Sequence, residues 1–164
     1  LAPIYFVTGN HELTSLAATQ YQELLALFQK YGVTDLDNDS VKLKKGGQSI
    51  TLYGRQYFSQ YLTDSLPIAS DKDFDILLYH GSDNFKEIAP YHYDLILSGH
   101  AHGGIVRLPI WGGIFGNDGT FFPEYAGGEY TIGDATLISS RGLGDPSIPR
   151  FNNPPELVVI KLNP

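Results

Sequence analysis

The sequence contains no cysteine and no methionine, and its single tryptophan is Trp111. Without cysteine the protein forms no disulfide and no thiolate metal site. No apolar run reaches the ~18 residues that a membrane-spanning helix needs. A translated reading frame begins with methionine, and here the first strand leads at once into a candidate site loop. Both features favour a fragment, so we expect residues 1–164 to be the carboxyl-terminal part of a single domain.

Basic residues are also scarce, with 11 Lys and Arg against 18 Asp and Glu and a net charge of -7. This balance argues against general binding to nucleic acid or to anionic lipid. A metal centre or a local cation can still bind phosphate, so a phosphorylated substrate is not excluded. The hydrophobic fraction of 42% is that of a globular domain with a core of its own.

The chain opens with a strand pattern followed by a helix pattern. Residues 4–8 are β-branched or aromatic and predict a buried strand. Thr14 or Ser15 is the predicted cap of a helix that runs to about residue 31, where Gly32 stops it.

The next two strand patterns predict a hairpin. They cover residues 40–43 and 49–53, and a Gly46-Gly47 turn suits the connection between them. Beyond this hairpin a short helix is predicted near residues 58–62.

Two later segments share one pattern, in which an aromatic residue and Asp precede an apolar run that ends in His. They are residues 74–80 and 93–100. Continuous apolar runs predict strands buried on both faces, and Asp83 is the predicted cap of a short helix between them. A strand–helix–strand unit brings both strand ends to the same edge of a sheet. We therefore expect His80 and His100 to meet.

The remainder of the chain has a different character. Glycine, proline and aromatic residues dominate residues 103–128, and strand patterns follow at residues 130–132, 135–139 and 156–162. We expect a more antiparallel sheet with long glycine-rich loops.

Four of the five histidines lie in three short segments that follow strand patterns. Imidazole is the commonest protein ligand for borderline metal ions. Taken singly, each segment has a structural explanation: Asn10 caps a helix, His80 is a buried imidazole, and His100 with His102 lines a loop. Their joint occurrence favours one metal site. His92 matches no motif and is predicted to be a surface residue.

These segments, in this order, resemble the calcineurin-like metallophosphoesterases. The matching residues are Asn10-His11-Glu12 behind one strand, His80 at the end of a second, and Gly99-His100-Ala101-His102 at the end of a third. Residues 103–109, 140–144 and 150–157 resemble the bacterial branch of membrane-associated phosphohydrolases. The resemblance therefore covers essentially the whole chain.

The resemblance implies an α/β fold, part of a four-layer α/β/β/α sandwich with mixed sheets. It also implies hydrolysis of a phosphoester, either a diester or a small phosphorylated molecule, at a dinuclear site holding Mn, Fe or Zn. The family's Asp-x-His and Gly-Asp-x-x-Asp ligand blocks do not occur in this sequence. We therefore expect a partial site and an inactive fragment; the alternative is a non-catalytic metal-binding or interaction fragment.

The resemblance also implies a role for each matching residue. The implied metal ligands are Asn10, His80, His100 and His102, the last of which reaches the other ion. His11 is the implied catalytic residue, which protonates the leaving oxygen without binding metal. Glu12 is implied to orient His11 through a hydrogen bond.

Several further residues have two interpretations. Arg141 and Arg107 either bind substrate phosphate or form structural ion pairs. Gly103 and Gly104 either let the backbone approach a substrate or serve loop geometry alone. Five aromatic residues are expected in the core, with a substrate-facing or membrane-facing rim as the alternative: Trp111, Phe115, Phe121, Phe122 and Tyr125.

Location and assembly are weakly constrained by the sequence. The resemblance leaves open a bacterial cytoplasmic, membrane-associated or extracytoplasmic location, with membrane association through an amino-terminal segment outside this chain. Exposed sheet edges would favour a homodimer.

Overall fold

The computed structural model describes residues 2–57, 62, 66–70, 73–116, 119–144 and 149–163. Its strands are β1 (Ile4–Phe6), β2 (Val33–Asp35), β3 (Ser40–Lys45), β4 (Gln48–Arg55), β5 (Phe74–Gly81), β6 (Leu95–Gly99), β7 (Val106–Leu108), β8 (Gly112–Phe115), β9 (Gly128–Ile132) and β10 (Ala135–Ser139). Its helices are α1 (Asn10–Thr14), α2 (Ala18–Lys30), α3 (Phe85–Ile88) and a 3-10 turn at Ala89–Tyr91. The fold is mixed α/β, as predicted.

A six-stranded mixed sheet forms the centre of the molecule, in the order β3-β4-β5-β6-β10-β9. Its four inner strands run parallel, while β3 and β9 pair antiparallel at the two edges. The predicted hairpin is confirmed: β3 and β4 are joined by Gly46 and Gly47, whose φ values of 59° and 84° only glycine adopts at little cost.

Alternate residues of the inner strands point to opposite sides of this sheet, and each side contributes to a hydrophobic core. Along β5, Leu77 and Tyr79 join a large core that also contains Phe85 and Ile88 of α3. Ile76 joins a second core on the other face. The continuous apolar run that predicted a strand buried on both faces is therefore confirmed.

A two-stranded parallel sheet of β1 and β2 lies with this second core, to which Tyr5 contributes. Helix α2 covers it, and the rings of Phe6 and Phe28 lie 4.7 Å apart. The large apolar side chains of this helix, Tyr21, Leu24, Leu25 and Phe28, are half-buried. Gly32 ends the helix with a φ of 73°, as predicted.

The predicted start of this helix was wrong, because the segment forms two helices. Gly9 is the cap of α1, and the Thr14 hydroxyl donates to the Asn10 carbonyl 2.8 Å away instead of capping a new helix. Helix α2 begins after Ala17, whose N–H donates to Gln20 Oε1 at 2.9 Å. The helix therefore starts about three residues later than predicted.

Two other predictions fail in the second half of the chain. Asn84, rather than Asp83, occupies the cap position of α3. Residues 156–162 do not form the predicted strand and have no strand partner among the described residues. The short helix predicted near residues 58–62 falls largely outside the described residues. In the described part of the chain, no helix has the length and apolar character needed to cross a membrane.

Candidate metal centre

The fold brings the three histidine-containing segments to one edge of the central sheet. His80 lies near the end of β5, and His100 directly follows β6, its parallel neighbour. Asn10 begins α1, behind the fully buried Thr8, whose backbone N–H donates to Asp37 Oδ1 at 2.8 Å. That hydrogen bond holds the backbone segment that leads into Asn10 and α1.

The side chains of Asn10, His80 and His100 lie close enough together to bind one common ion. Asn10 Oδ1 lies 3.0 Å from His80 Nε2. The imidazole rings of His80 and His100 have centroids 5.1 Å apart at an angle of 68°. Parallel strand order predicted this meeting of residues 20 positions apart, and the structure confirms it.

The backbone around His100 and His102 is strained. Both residues have positive φ, 65° and 51°, and Gly103 and Gly104 follow with 73° and 70°. Non-glycine residues rarely adopt this region, and such strain collects at functional sites. Asn153, which is buried, holds the turn by donating Nδ2 to the His102 carbonyl at 2.7 Å.

The electrostatics favour neutral imidazoles, the form that binds metal. Burial first, and then the neighbouring imidazoles of His100, His102 and His11, lower the pKa of His80 to about 4. Burial also lowers the pKa of His102, followed by the cation of Arg150. His100 and His11 thus act electrostatically on both His80 and His102.

This donor set fits a divalent metal ion. An amide oxygen beside imidazole nitrogens suits Mn²⁺, Fe²⁺ or Zn²⁺. His102 Nδ1 is buried and has no hydrogen-bond partner among the described residues, as expected of a donor that awaits a ligand. Within the described part of the chain, however, no group of three or more histidine or carboxylate side chains is placed so that it could hold a metal ion. Asn10, His80, His100 and His102 therefore stay predicted ligands.

His11 and Glu12 follow the predicted ligand Asn10 in the sequence, and each contacts a residue outside the predicted ligand set. His11 is exposed, and its Nδ1 lies 3.5 Å from Ser15 Oγ. Glu12 Oε2 accepts the Gly9 N–H at 2.9 Å. That bond anchors the start of α1, and the proposed orientation of His11 by Glu12 stays a prediction.

The residues predicted to contact substrate make contacts within the protein. Arg141 forms an ion pair with Glu156 and donates Nε to its Oε2 at 2.7 Å, so the structural interpretation holds. Arg107 Nη1 donates to the Gly103 carbonyl at 2.7 Å. A side chain at Gly103 would collide with Asn153 and Arg141.

Gly104 is closed in the same way. A Cβ there would lie 2.7 Å from Gly113 Cα, because the two backbones touch. The space beside both glycines is filled by protein, so loop geometry alone requires glycine at each position, and their role in substrate binding stays a prediction.

The aromatic residues divide between core and surface. Tyr125 is buried, as expected, and Phe115 is half-buried. Trp111, Phe121 and Phe122 are exposed, so their predicted core packing is wrong.

Three residues of the site were missed by sequence reasoning. Tyr57 lies against both His80 and His100, with ring centroids 5.5 Å and 5.2 Å away, but it lies in a stretch without a clear pattern. Asn153 and Arg150 belong to the 150–157 segment, whose resemblance was recognised without a role. Arg150 Nη2 donates to the Gly144 carbonyl at 2.9 Å.

Imidazoles and an amide oxygen thus lie together at one edge of the mixed sheet of an α/β protein. The chain belongs to the calcineurin-like phosphoesterase family, whose model matches residues 1–104. This match includes Asn10, His11, His80, His100 and His102.

Individual proteins similar to this chain extend the match across its length. The uncharacterised protein YpbG of Bacillus subtilis is 28% identical over 166 residues, which cover 98% of this chain and 58% of YpbG. The phosphodiesterase YaeI of Escherichia coli is 25% identical over 162 residues, covering 98% of this chain and 58% of YaeI. The chain thus spans less than two thirds of both relatives.

A solved structure supports the fold. The sulfate thiohydrolase SoxB of Thermus thermophilus superimposes with a TM-score of 0.50 at 16% identity, over 83% of this chain and 27% of SoxB. At this identity the likeness concerns the fold alone.

Proposed function

We propose that this chain forms part of a dinuclear metallophosphoesterase that hydrolyses a phosphodiester or another small phosphorylated substrate. Membership of the calcineurin-like family supports the hydrolase class. The phosphodiesterase name of YaeI, a relative across nearly the whole chain, supports a diester.

The observation that carries the proposal is the meeting of Asn10 with two strand-end histidines. Asn10 and His80 are 70 residues apart in sequence, yet their polar atoms lie 3.0 Å apart. The imidazole ring of His100 lies next to that of His80, with the ring centroids 5.1 Å apart. Packing alone gives no reason to place an amide oxygen and two imidazoles together.

In this proposal Asn10, His80 and His100 hold one divalent ion, and His102 contributes to a second. Bound ions of this kind neutralise charge on phosphate oxygens and make water a stronger nucleophile. The residues of the chain supply the neutral donors and keep them in place. Tyr57 restrains the two imidazoles by packing against them.

His11 serves as the general acid. It lies next to the ligand Asn10 but is exposed, so a substrate can approach it. When water attacks phosphorus and the bond to the leaving oxygen breaks, His11 donates a proton to that oxygen. The alcohol then departs uncharged.

A second candidate function is metal binding without hydrolysis by this chain alone. It is favoured because the described residues contain no group of three or more histidine or carboxylate side chains that could hold a metal ion. The family's Asp-x-His and Gly-Asp-x-x-Asp blocks also have no counterpart in the 164 residues. We propose that this chain alone is inactive and that the complete protein is the enzyme.

Calorimetric titration of the chain with Mn²⁺ and Zn²⁺ tests the site. We expect binding that His100→Ala weakens at least tenfold, because one of the imidazole donors is lost. His92→Ala, which removes an exposed histidine away from the motifs, is the matched control.

Hydrolysis of bis(p-nitrophenyl) phosphate by the complete protein tests the activity. Metal binding lost in His100→Ala, with hydrolysis in the complete protein, supports the proposal. If His100→Ala and His92→Ala bind metal equally, the assigned ligands are wrong. If the complete protein binds metal but hydrolyses no phosphoester, the second candidate function replaces the first.

A further inference from the structure

A polar network lies behind the segment that leads into the candidate metal centre. Its central group is the half-buried carboxylate of Asp37, in the turn after β2. Asp37 Oδ1 accepts the backbone N–H of Thr8 at 2.8 Å, and Asp37 Oδ2 accepts the Gln56 amide at 3.2 Å. The Tyr21 hydroxyl donates to the same Oδ2 at 3.4 Å. One carboxylate therefore joins the segments after β1, β2 and β4 to helix α2.

Tyr21 takes part in this network as a neutral donor. Burial, together with the carboxylates of Asp37 and Asp35, raises the pKa of the Tyr21 hydroxyl, so the phenol keeps its proton. The same hydroxyl oxygen lies 2.9 Å from Thr8 Oγ1. Both the backbone and the side chain of Thr8 are therefore connected to Asp37, the first directly and the second through Tyr21.

The carbonyl of Thr8 is held from the other side. It accepts the backbone N–H of Tyr57 at 3.1 Å, and the ring of Tyr57 packs against His80 and His100. Thr8 is fully buried, so the loss of either bond would leave a buried polar group without its partner. The backbone of Thr8 is thus fixed between the Asp37 turn and the end of β4.

The position of Thr8 determines where the next two residues meet His80. A Cβ at Gly9 would lie 3.1 Å from two atoms of the His80 ring, so the Gly9 backbone touches this imidazole. Asn10 follows, with Oδ1 3.0 Å from His80 Nε2. The bond between Glu12 and the Gly9 N–H lies within the same loop and moves with it. The contacts of Thr8 therefore anchor this loop to the rest of the protein.

We propose that Asp37 is a positioning residue for Asn10, since its carboxylate holds the Thr8 backbone and so keeps Asn10 Oδ1 beside His80. The inference rests on the proposed function in one respect, because it treats Asn10 and His80 as metal ligands. Its geometric part, the contact between Asn10 and His80, is measured without metal.

Nuclear Overhauser spectra of the metal-free chain test the positioning. We expect cross-peaks from the His80 ring to Gly9 and Asn10 in the wild type. They should be lost in Asp37→Ala, in which the backbone N–H has no acceptor. Cross-peaks between His80 and His100 should persist in this variant, because the pairing of β5 with β6 maintains that contact.

Two further variants separate positioning from general support of the fold. Asp37→Asn keeps an oxygen at the acceptor position, so the cross-peaks to Asn10 should return. Asp39→Ala removes an exposed carboxylate of the same turn, which accepts the Ser40 N–H at 2.7 Å, and should leave the cross-peaks unchanged. The Thr8 amide should exchange with solvent at least about tenfold faster in Asp37→Ala, because a hydrogen bond to a charged group is lost. Free exchange of this amide in the wild type would contradict the inference without any variant.

Calorimetric titration with Zn²⁺ connects the positioning to the proposed function. Asp37→Ala should bind Zn²⁺ about tenfold more weakly than the wild type, as happens when a residue that orients a ligand is removed. Asp37→Asn should bind nearly as the wild type does. If the wild-type chain binds no Zn²⁺ but the cross-peaks respond as expected, the proposed metal binding by this chain is wrong, whereas the positioning of Asn10 by Asp37 is confirmed.

Three outcomes in the variants would overturn the inference. The first is persistence of the cross-peaks between His80 and Asn10 in Asp37→Ala. The second is their equal loss in Asp39→Ala. The third is a joint loss of the cross-peaks between His80 and His100 in Asp37→Ala, since Asp37 would then support the sheet as a whole.

Discussion

The same side chain has different chemistry at different positions of this site. His80 lies within the sheet edge, where burial lowers its pKa to about 4 and keeps it neutral. His11 lies at the exposed start of α1, where its ring can meet a substrate. Environment rather than residue type is therefore the reason why we propose metal binding for His80 and proton transfer for His11.

In the complete protein we expect His11→Gln to lower kcat by about 10²- to 10³-fold, because glutamine cannot supply the proton to the leaving oxygen. Metal content should not change, since His11 is not among the proposed ligands. Steady-state kinetics and elemental analysis measure the two quantities. The exposed His92 provides the control, because His92→Gln should alter neither. Loss of metal in His11→Gln would instead make His11 a ligand.

The low pKa of His80 predicts a pH-dependent stability of the metal-free chain. Its folded pKa of about 4 is below the ordinary 6.5, so the unfolded state binds more protons between these values. Stability from this residue is present above pH 6.5 and is lost as pH falls toward 4. We expect a loss of about 2 kcal/mol between pH 7 and pH 5.

Urea denaturation in the presence of a chelator measures this loss. The variant His80→Gln should show a smaller loss over the same interval, because glutamine does not titrate. An identical pH dependence in both proteins would mean that His80 is not buried in its neutral form.

At the scale of elements, the continuous apolar runs carried most of the predictive information. The runs of β5 and β6 identified two adjacent parallel strands, and the geometry of such strands then placed His80 beside His100. The Gly46-Gly47 pair identified the hairpin because a tight turn needs residues with positive φ, which glycine adopts readily. The local sequence pattern was therefore sufficient to predict those elements whose structure depends on neighbouring residues.

Prediction from the sequence failed where contacts between residues that are far apart in the sequence determine the structure. Tyr57 contacts the two imidazoles because β4 pairs with β5, and no local pattern reveals that position. Asn153 holds the His102 turn across 51 residues of sequence. Residues 156–162 have the composition of a strand, but a strand also needs a partner, and the described residues provide none.

Gly54 of β4 illustrates such a distant contact and allows a test. Its N–H donates to the Asp39 carbonyl, and a Cβ at this position would lie 2.8 Å from Leu36 Cβ. We expect Gly54→Ala to destabilise the fold by about 2 kcal/mol, because the β2–β3 connection must move. Thermal or urea denaturation measures the change.

Gly144 provides the matched control for Gly54. It has open space at its Cβ position and no positive φ, so Gly144→Ala should change stability by less than about 0.5 kcal/mol. Equal stability of the Gly54→Ala variant and the wild type would show that the β2–β3 connection is not packed against β4.

For the whole molecule, residues 156–162 are the segment with the most unusual exposure. Leu157 and Val159 are strongly exposed, while Val158, Ile160 and Leu162 are each less so. This alternation is that of a strand with one side against the protein. Its backbone has no strand partner in the described part of the chain, so the segment resembles a free sheet edge.

We expect this segment to drive self-association of the chain, because two copies can pair it as antiparallel strands. Val159→Lys should weaken that association at least tenfold, since a charge on the exposed side opposes edge pairing. Sedimentation equilibrium over a range of concentrations measures it. Ile110→Lys, which places the same charge on the exposed connection between β7 and β8, is the control. If Ile110→Lys dissociates the oligomer and Val159→Lys does not, then that connection, rather than a free sheet edge, holds the copies together.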